Sequence, residues 1–235
     1  MTESEIRKIL EERLQALEGR IQAACQRSGR LRESVTLVAV TKTVTNQVAG
    51  ILPSLGVSNF GENRPQELKR KFQSLPGLGI RWHMIGHLQR NKVAETLPLV
   101  ELIHSVDSPR LFQEICKEAQ KQNRSTQFLF QVNGSREAAK HGYSYEELEK
   151  QLTEMPVGNP LKFCGYMTMA AYTEDPEACR ATFRELKEFA YRHSPQPELS
   201  MGMSNDFEIA IEEGATLIRI GSVLFEGLPG PGEEA

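Results

Sequence analysis

The sequence predicts an α/β fold in which eight parallel strands close into a single (β/α)8 TIM barrel, with an extra helix at the N-terminus. Three observations predict it. Short apolar runs alternate with helical patterns from residue 35 onward, eight such runs occur, and no linker divides the 235 residues. Strand-then-helix alternation implies parallel pairing, because parallel neighbours need a crossover connection between them. At about 150 residues per domain the length allows one large domain or two small ones, and the unbroken alternation selects one. A doubly wound open sheet also fits the alternation, but no GxGxxG follows the first strand.

The elements can be justified in chain order. Ile6, Leu10, Leu14, Leu17 and Ile21 recur at steps of three or four, an apolar stripe on a 3.6-residue period, with Arg7, Lys8, Glu11, Glu12 and Glu18 on the other face. Strands are expected at 35–41, 58–60, 82–85, 101–106, 127–132, 161–167, 199–202 and 216–220. Helices are expected between them at 47–55, 65–72, 91–96, 109–121, 145–152, 175–193 and 205–213. The barrel domain is expected to span residues 1–226. Residues 227–235, with Pro229, Pro231 and three glycines, read as a flexible tail.

Composition excludes several classes of function. A net charge of −3 leaves no electrostatic footprint for nucleic acid. The one basic knot, Lys69, Arg70 and Lys71, reads as a solvated helix face. The longest charge-free stretch, 43–61, is broken by Pro53 and three glycines and does not span a membrane. The first ten residues have no signal-peptide pattern. Cys25, Cys116, Cys164 and Cys179 form neither a CxxC pair nor a zinc-finger spacing, and read as reduced, buried thiols. A cytoplasmic chain is expected.

In a parallel barrel the working residues stand at the C-terminal ends of the strands. Lys42 ends the first strand: either a solvated lysine, or an amine in apolar surroundings, with a lowered pKa, free to form a Schiff base. The run from Ser200 through Met203 and Ser204 to Asp206 leads a strand into a helix. It reads either as a plain cap or as a phosphate site at a helix N-terminus. Arg219 lies in an otherwise apolar strand before Gly221 and Ser222, as a structural ion pair or as a group placed at the mouth. Barrels often bind phosphate with the loops after strands seven and eight, which hold Ser204 and Gly221-Ser222. Asn63 and His83 are expected to line the mouth as hydrogen-bonding groups. His83 and His87 are four apart, but that spacing binds zinc only on a helix, and Met84 stands where a metalloprotease glutamate would. No metal site is expected.

Lys42, GENRPQE at 61–67, WHMIGHLQRNK at 82–92, SMGMSND at 200–206 and RIGS at 219–222 occur together and in this order. As a set they resemble the pyridoxal phosphate homeostasis protein family, whose members are similar to the N-terminal barrel of alanine racemase, the fold-type III barrel. The likeness runs from the first helix to about Phe225. It implies pyridoxal 5′-phosphate held as an internal aldimine on Lys42. The phosphate would lie against Ser204, Gly221 and Ser222, with Ser200 and Met203 nearby. Arg219 would face the pyridine nitrogen, Asn63 would line the ring's pocket, and His83 would belong to the same site. One departure is Glu226, between Phe225 and Gly227, where the family generally runs Phe-Gly.

The resemblance implies a solvent-exposed cofactor, intracellular vitamin B6 and amino-acid homeostasis, and little or no catalysis. Racemisation needs a second base on the opposite face of the substrate, and the racemase takes one from a second domain that this chain is expected to lack. A monomer is expected, with pyridoxal-phosphate-dependent apo-enzymes as candidate recipients. The alternatives are a small racemase or lyase, a Schiff-base aldolase acting on a phosphosugar, and a regulatory partner protein that needs no cofactor.

Overall fold

The computed structural model of the chain describes residues 1–134, 141–155 and 161–232. Eight parallel strands form a closed barrel in sequence order: β1 (Thr36–Val40), β2 (Asn59–Glu62), β3 (Arg81–Met84), β4 (Leu102–Val106), β5 (Gln127–Val132), β6 (Lys162–Thr168), β7 (Glu198–Ser200) and β8 (Leu217–Ile220). Closure is made by β1 against β8, in register from Thr36 opposite Leu217 to Ala39 opposite Ile220.

The helices on the outside are α1 (Glu3–Arg27), α2 (Asn46–Ile51), α3 (Pro65–Ser74), α4 (Val93–Thr96), α5 (Pro109–Lys121), α6 (Tyr145–Thr153), α7 (Arg180–His193), α8 (Phe207–Glu212) and α9 (Ser222–Phe225). α1 begins on a capping box, Thr2 accepting from the Glu5 N–H while Glu5 accepts from the Thr2 N–H, so two orphan donors are satisfied at once. Ile6, Leu10, Leu17 and Ile21 are buried, each stabilising by about 1.5–3 kcal/mol. α1 packs across α8 and α9. Arg20 pairs with Glu208 at 2.6 Å, and Arg13 Nη1 donates to the Leu224 carbonyl at 2.9 Å, at the end of α9.

Because side chains alternate across a strand, the barrel has two apolar regions. The larger lies between strands and helices and includes Phe60, Ile103, Phe130, Tyr166 and Ile218. The smaller fills the barrel interior with Val38, Leu102, Leu129, Met167 and Leu217. Two residues further along the strands, the inward positions turn polar, with His104 after Leu102 and Arg219 after Leu217, and that polar floor lies under the open C-terminal end.

Three expectations change. The segment expected to be one helix from 175 to 193 starts as a 3-10 turn, Pro176–Cys179, before α7. Lys71 is not on a solvated face: it is 1% exposed and paired with buried Glu62 at 2.7 Å. The first residues of the expected tail are docked rather than loose, since Leu228 is buried and the Pro229 carbonyl accepts from the Thr45 N–H at 3.1 Å. Cys25 and Cys179 are buried, Cys116 and Cys164 half-buried. No helix among the described residues is long and apolar enough to cross a membrane.

Candidate functional site

The C-terminal end of the barrel opens into a cavity of about 1010 Å³. Lys42, Asn63, Met203, Ser204, Arg219, Gly221 and Ser222 all line it. They come from the ends of β1, β2, β7 and β8, so strands far apart in sequence deliver them to one rim.

Lys42 sits in the 3-10 turn Thr41–Thr43 directly after β1. That turn is fixed from below. Thr41 Oγ1 donates to Glu62 Oε1 at 2.6 Å, and buried Lys71 donates both to Glu62 Oε1 and to the Thr41 carbonyl. Burial pushes the Lys71 ammonium down, against the pull of the Glu62 charge. Lys42 itself is exposed at the mouth. Asn63 is half-buried at the end of β2. Its backbone lies so close to Gly86 that a Cβ on that glycine would stand 2.2 Å from the Asn63 carbonyl oxygen.

On the opposite rim, Gly202 takes φ +92°, and a Cβ there would approach Ala210 Cβ to 2.6 Å. The turn this permits brings Met203 and Ser204 over the cavity. The Asp206 carboxylate accepts from the Met203 N–H at 2.6 Å, locking the turn. α9 starts at Ser222 with no side-chain cap, and the Gly221 and Val223 N–H groups reach only Ser204 Oγ, at 3.4 Å each. A short helix whose first amides make such long contacts is suited to an anion, and this is the place where barrels commonly hold phosphate. Glu226 caps α9 at its far end, is exposed, and borders the cavity.

Arg219 lies between the two rims, buried, with its charge at the cavity floor. Nη1 donates to Ser200 Oγ at 2.7 Å and Nη2 to the Thr168 carbonyl at 3.0 Å. Burial pushes its pKa down to about 10, with the nearby Asp206 charge opposing. A guanidinium carries five N–H donors, so Arg219 has donors beyond these two contacts.

His83 does not line the mouth as expected; it lies beneath it, as does Ser200. Ser200 Oγ is 2.7 Å from His104 Nδ1, His104 Nε2 is 2.9 Å from His83 Nδ1, and His83 Nε2 is 3.2 Å from Asn59 Oδ1. Burial is the first cause lowering both imidazoles, His83 to about 4 and His104 well below its ordinary value. Both rings are therefore neutral, and donors and acceptors can match in only one direction. Arg219 donates to Ser200, Ser200 to His104, His104 to His83, and His83 to Asn59. The role of Ser200 and His83 is thus to seat Arg219 from below.

Sequence reasoning missed His104, His87, Asp107 and His141 as site residues, and Tyr172. His104 had a usable signal, being polar at an inward position of an otherwise apolar strand. His87 and His141 line the cavity, and both approach Asp107 from different loops, which no spacing in the sequence announces.

Residues 13–229 match the family model described as alanine racemase, N-terminal domain. A pyridoxal phosphate homeostasis protein of Aquifex aeolicus (strain VF5) is 43% identical over 220 residues, covering 91% of this chain and 96% of that protein. The solved structure of PipY of Synechococcus elongatus PCC7942 with PLP bound superposes with a TM-score of 0.80 at 32% identity, covering 92% of this chain and 99% of that one. The crystal structure of an unknown protein from Bifidobacterium adolescentis superposes with a TM-score of 0.86 at 31% identity, covering 96% of this chain and 98% of that one. With a family model across most of its length and curated relatives matched nearly end to end, the chain belongs to the pyridoxal phosphate homeostasis protein family, built on the alanine racemase N-terminal barrel.

Proposed function

We propose that this protein binds pyridoxal 5′-phosphate in the barrel mouth as a Schiff base on Lys42, and that it holds and hands on the cofactor rather than using it in catalysis. The observation that carries this reading is the meeting of three unlike groups at one cavity. They are an exposed amine, an uncapped short helix beside Ser204, and a buried arginine with donors to spare. They fit the three ends of the cofactor. Lys42 suits the aldehyde; Ser204, Gly221 and Ser222 suit the phosphate; Arg219 suits the pyridine nitrogen. Asn63 and Met203 border the ring between them. Pyridoxal phosphate supplies an electron sink when bound, and the protein sets how strong a sink it is.

Arg219 argues for a weak one. Guanidinium is a permanent cation and only a donor, so it favours an unprotonated ring nitrogen. The chain from Ser200 to Asn59 keeps it in that role. Lys42 and Tyr172 are exposed at the same mouth, Tyr172 at 86%, which leaves the cofactor within reach of solvent and of a recipient. Pyridoxal-phosphate-dependent apo-enzymes would be those recipients, and the protein is expected to act as a monomer in the cytoplasm. A second reading, a small racemase-like activity, is favoured by His87 and His141 on the cavity wall.

The first test is the visible absorption spectrum of the purified protein beside that of Lys42→Ala. A yellow wild type and a colourless variant are expected; two colourless proteins after incubation with pyridoxal phosphate would overturn the reading. Handing on is tested by adding a separate apo-enzyme: its reactivation should outrun spontaneous release of cofactor. The racemase reading needs α-proton exchange of alanine or serine in heavy water above that of free cofactor.

A further inference from the structure

The strand ends of β3, β4 and β5 bring together His87, Asp107 and His141, three residues the cofactor reading does not use. His87 lies in the loop after β3, Asp107 follows β4 directly, and His141 lies in the connection after β5. Asp107 Oδ2 is 2.8 Å from His87 Nδ1 and 3.8 Å from His141 Nδ1, and all three ligand atoms lie within 4.8 Å of one another. The imidazoles stack, with centroids 4.3 Å apart and planes 16° from parallel.

We propose that these residues form a site for one divalent cation of the zinc type, at the wall of the cavity. Four features carry the inference. Two imidazoles and one carboxylate are the donor set that borderline divalent metals prefer. Both rings turn the same nitrogen, Nδ1, toward one carboxylate oxygen, so the three possible ligand atoms converge on one point. The Asp107 side chain is only 5% exposed, and its other oxygen accepts from Ser108 Oγ at 3.2 Å, the outer hydrogen bond that orients a ligating carboxylate. The backbone beside His141 is tied to β5: Gln131 Nε2 donates to the His141 carbonyl at 2.9 Å, and the Tyr143 N–H donates to the Gln131 carbonyl at 2.8 Å.

A cation about 2.0–2.2 Å from each donor needs donors about 3.4 Å apart. The observed separations bracket that distance, and His87 and His141 are exposed, so their rings can close on the ion while Asp107 stays fixed. His87 and His141 face the cavity, and the remaining coordination positions would open into it, available to water or to an oxygen of a small molecule held there.

The test titrates Zn2+ into the full chain after chelator treatment, without pyridoxal phosphate, which would itself bind zinc. A chromophoric chelator serves as competitor. One equivalent should bind. Asp107→Asn and His141→Ala should each weaken it by about 100-fold or more, since a lost ligand must exceed the roughly 10- to 100-fold that outer partners contribute. His141 is 64% exposed on its side chain, so its variant keeps the fold, and circular dichroism confirms that. Anomalous scattering at the zinc edge should place the ion among the three side chains. The proposal is overturned by absence of saturable binding. It is equally overturned by stoichiometric binding that survives His141→Ala, which would assign the zinc to Cys116 or Cys164.

Discussion

Lys71 shows how much a single buried charge can hold in place. Its ammonium reaches the Glu62 carboxylate and the Thr41 carbonyl, so it fixes the residue next to Lys42. Replacing it with methionine leaves the Glu62 charge buried without its cationic partner, which costs about 3–5 kcal/mol. Urea unfolding of Lys71→Met should show that loss, and Lys71→Met with Glu62→Gln should recover most of it. His83 and His104 give a second expectation at this scale. Their folded pKa values lie below the ordinary value of 6.5, His83 at about 4, so the unfolded chain binds more protons in that window. Stability contributed by the neutral rings is complete above pH 6.5 and falls as pH drops toward 4, by about 3 kcal/mol for His83 alone. Unfolding midpoints at pH 7 and pH 4.5 should differ accordingly, and His83→Asn should flatten the difference.

Among the elements, α9 has only one turn, and other parts must hold it. Arg13 of α1 donates to the carbonyl of Leu224, so the outermost helix anchors the innermost rim. Arg13→Ala should leave the barrel folded yet release pyridoxal phosphate several-fold faster, measured by loss of visible absorbance into excess acceptor. Gly202→Ala strains the turn before α8, at a cost of about 1–3 kcal/mol, and should weaken cofactor binding beyond its effect on unfolding. The same scale shows what the sequence made legible. Periodicity located every strand to within a few residues, and α5 at its observed limits, because long amphipathic patterns and Pro109 punctuate that region clearly. α9 escaped, since four residues carry no period. Lys71 escaped because a lysine in a charged run looks solvated unless its carboxylate partner, nine residues away, is known to be buried. Lys42, Ser204 and Arg219 were legible as strand-end residues. His141 and Asp107 were not, because only the parallel pairing of β4 with β5 brings the loops after them together.

The molecule as a whole is one closed sheet with its polar groups gathered at one end. Among the described residues no strand edge is left open, so a monomer of 26.4 kDa is the expected species, and light scattering behind size exclusion should return that mass with or without cofactor. Closure also places the ends of the chain's working region side by side: the Pro229 carbonyl takes the Thr45 N–H two residues beyond the turn that carries Lys42. Seen as handling rather than as architecture, that contact makes the carboxyl end a poor place to cut. Ending the chain after Phe225 should free the lysine-bearing loop and slow the rise of the yellow band. An affinity tag fused beyond residue 232 should leave that rise unchanged, and a tag on the opposite terminus would avoid the strap entirely.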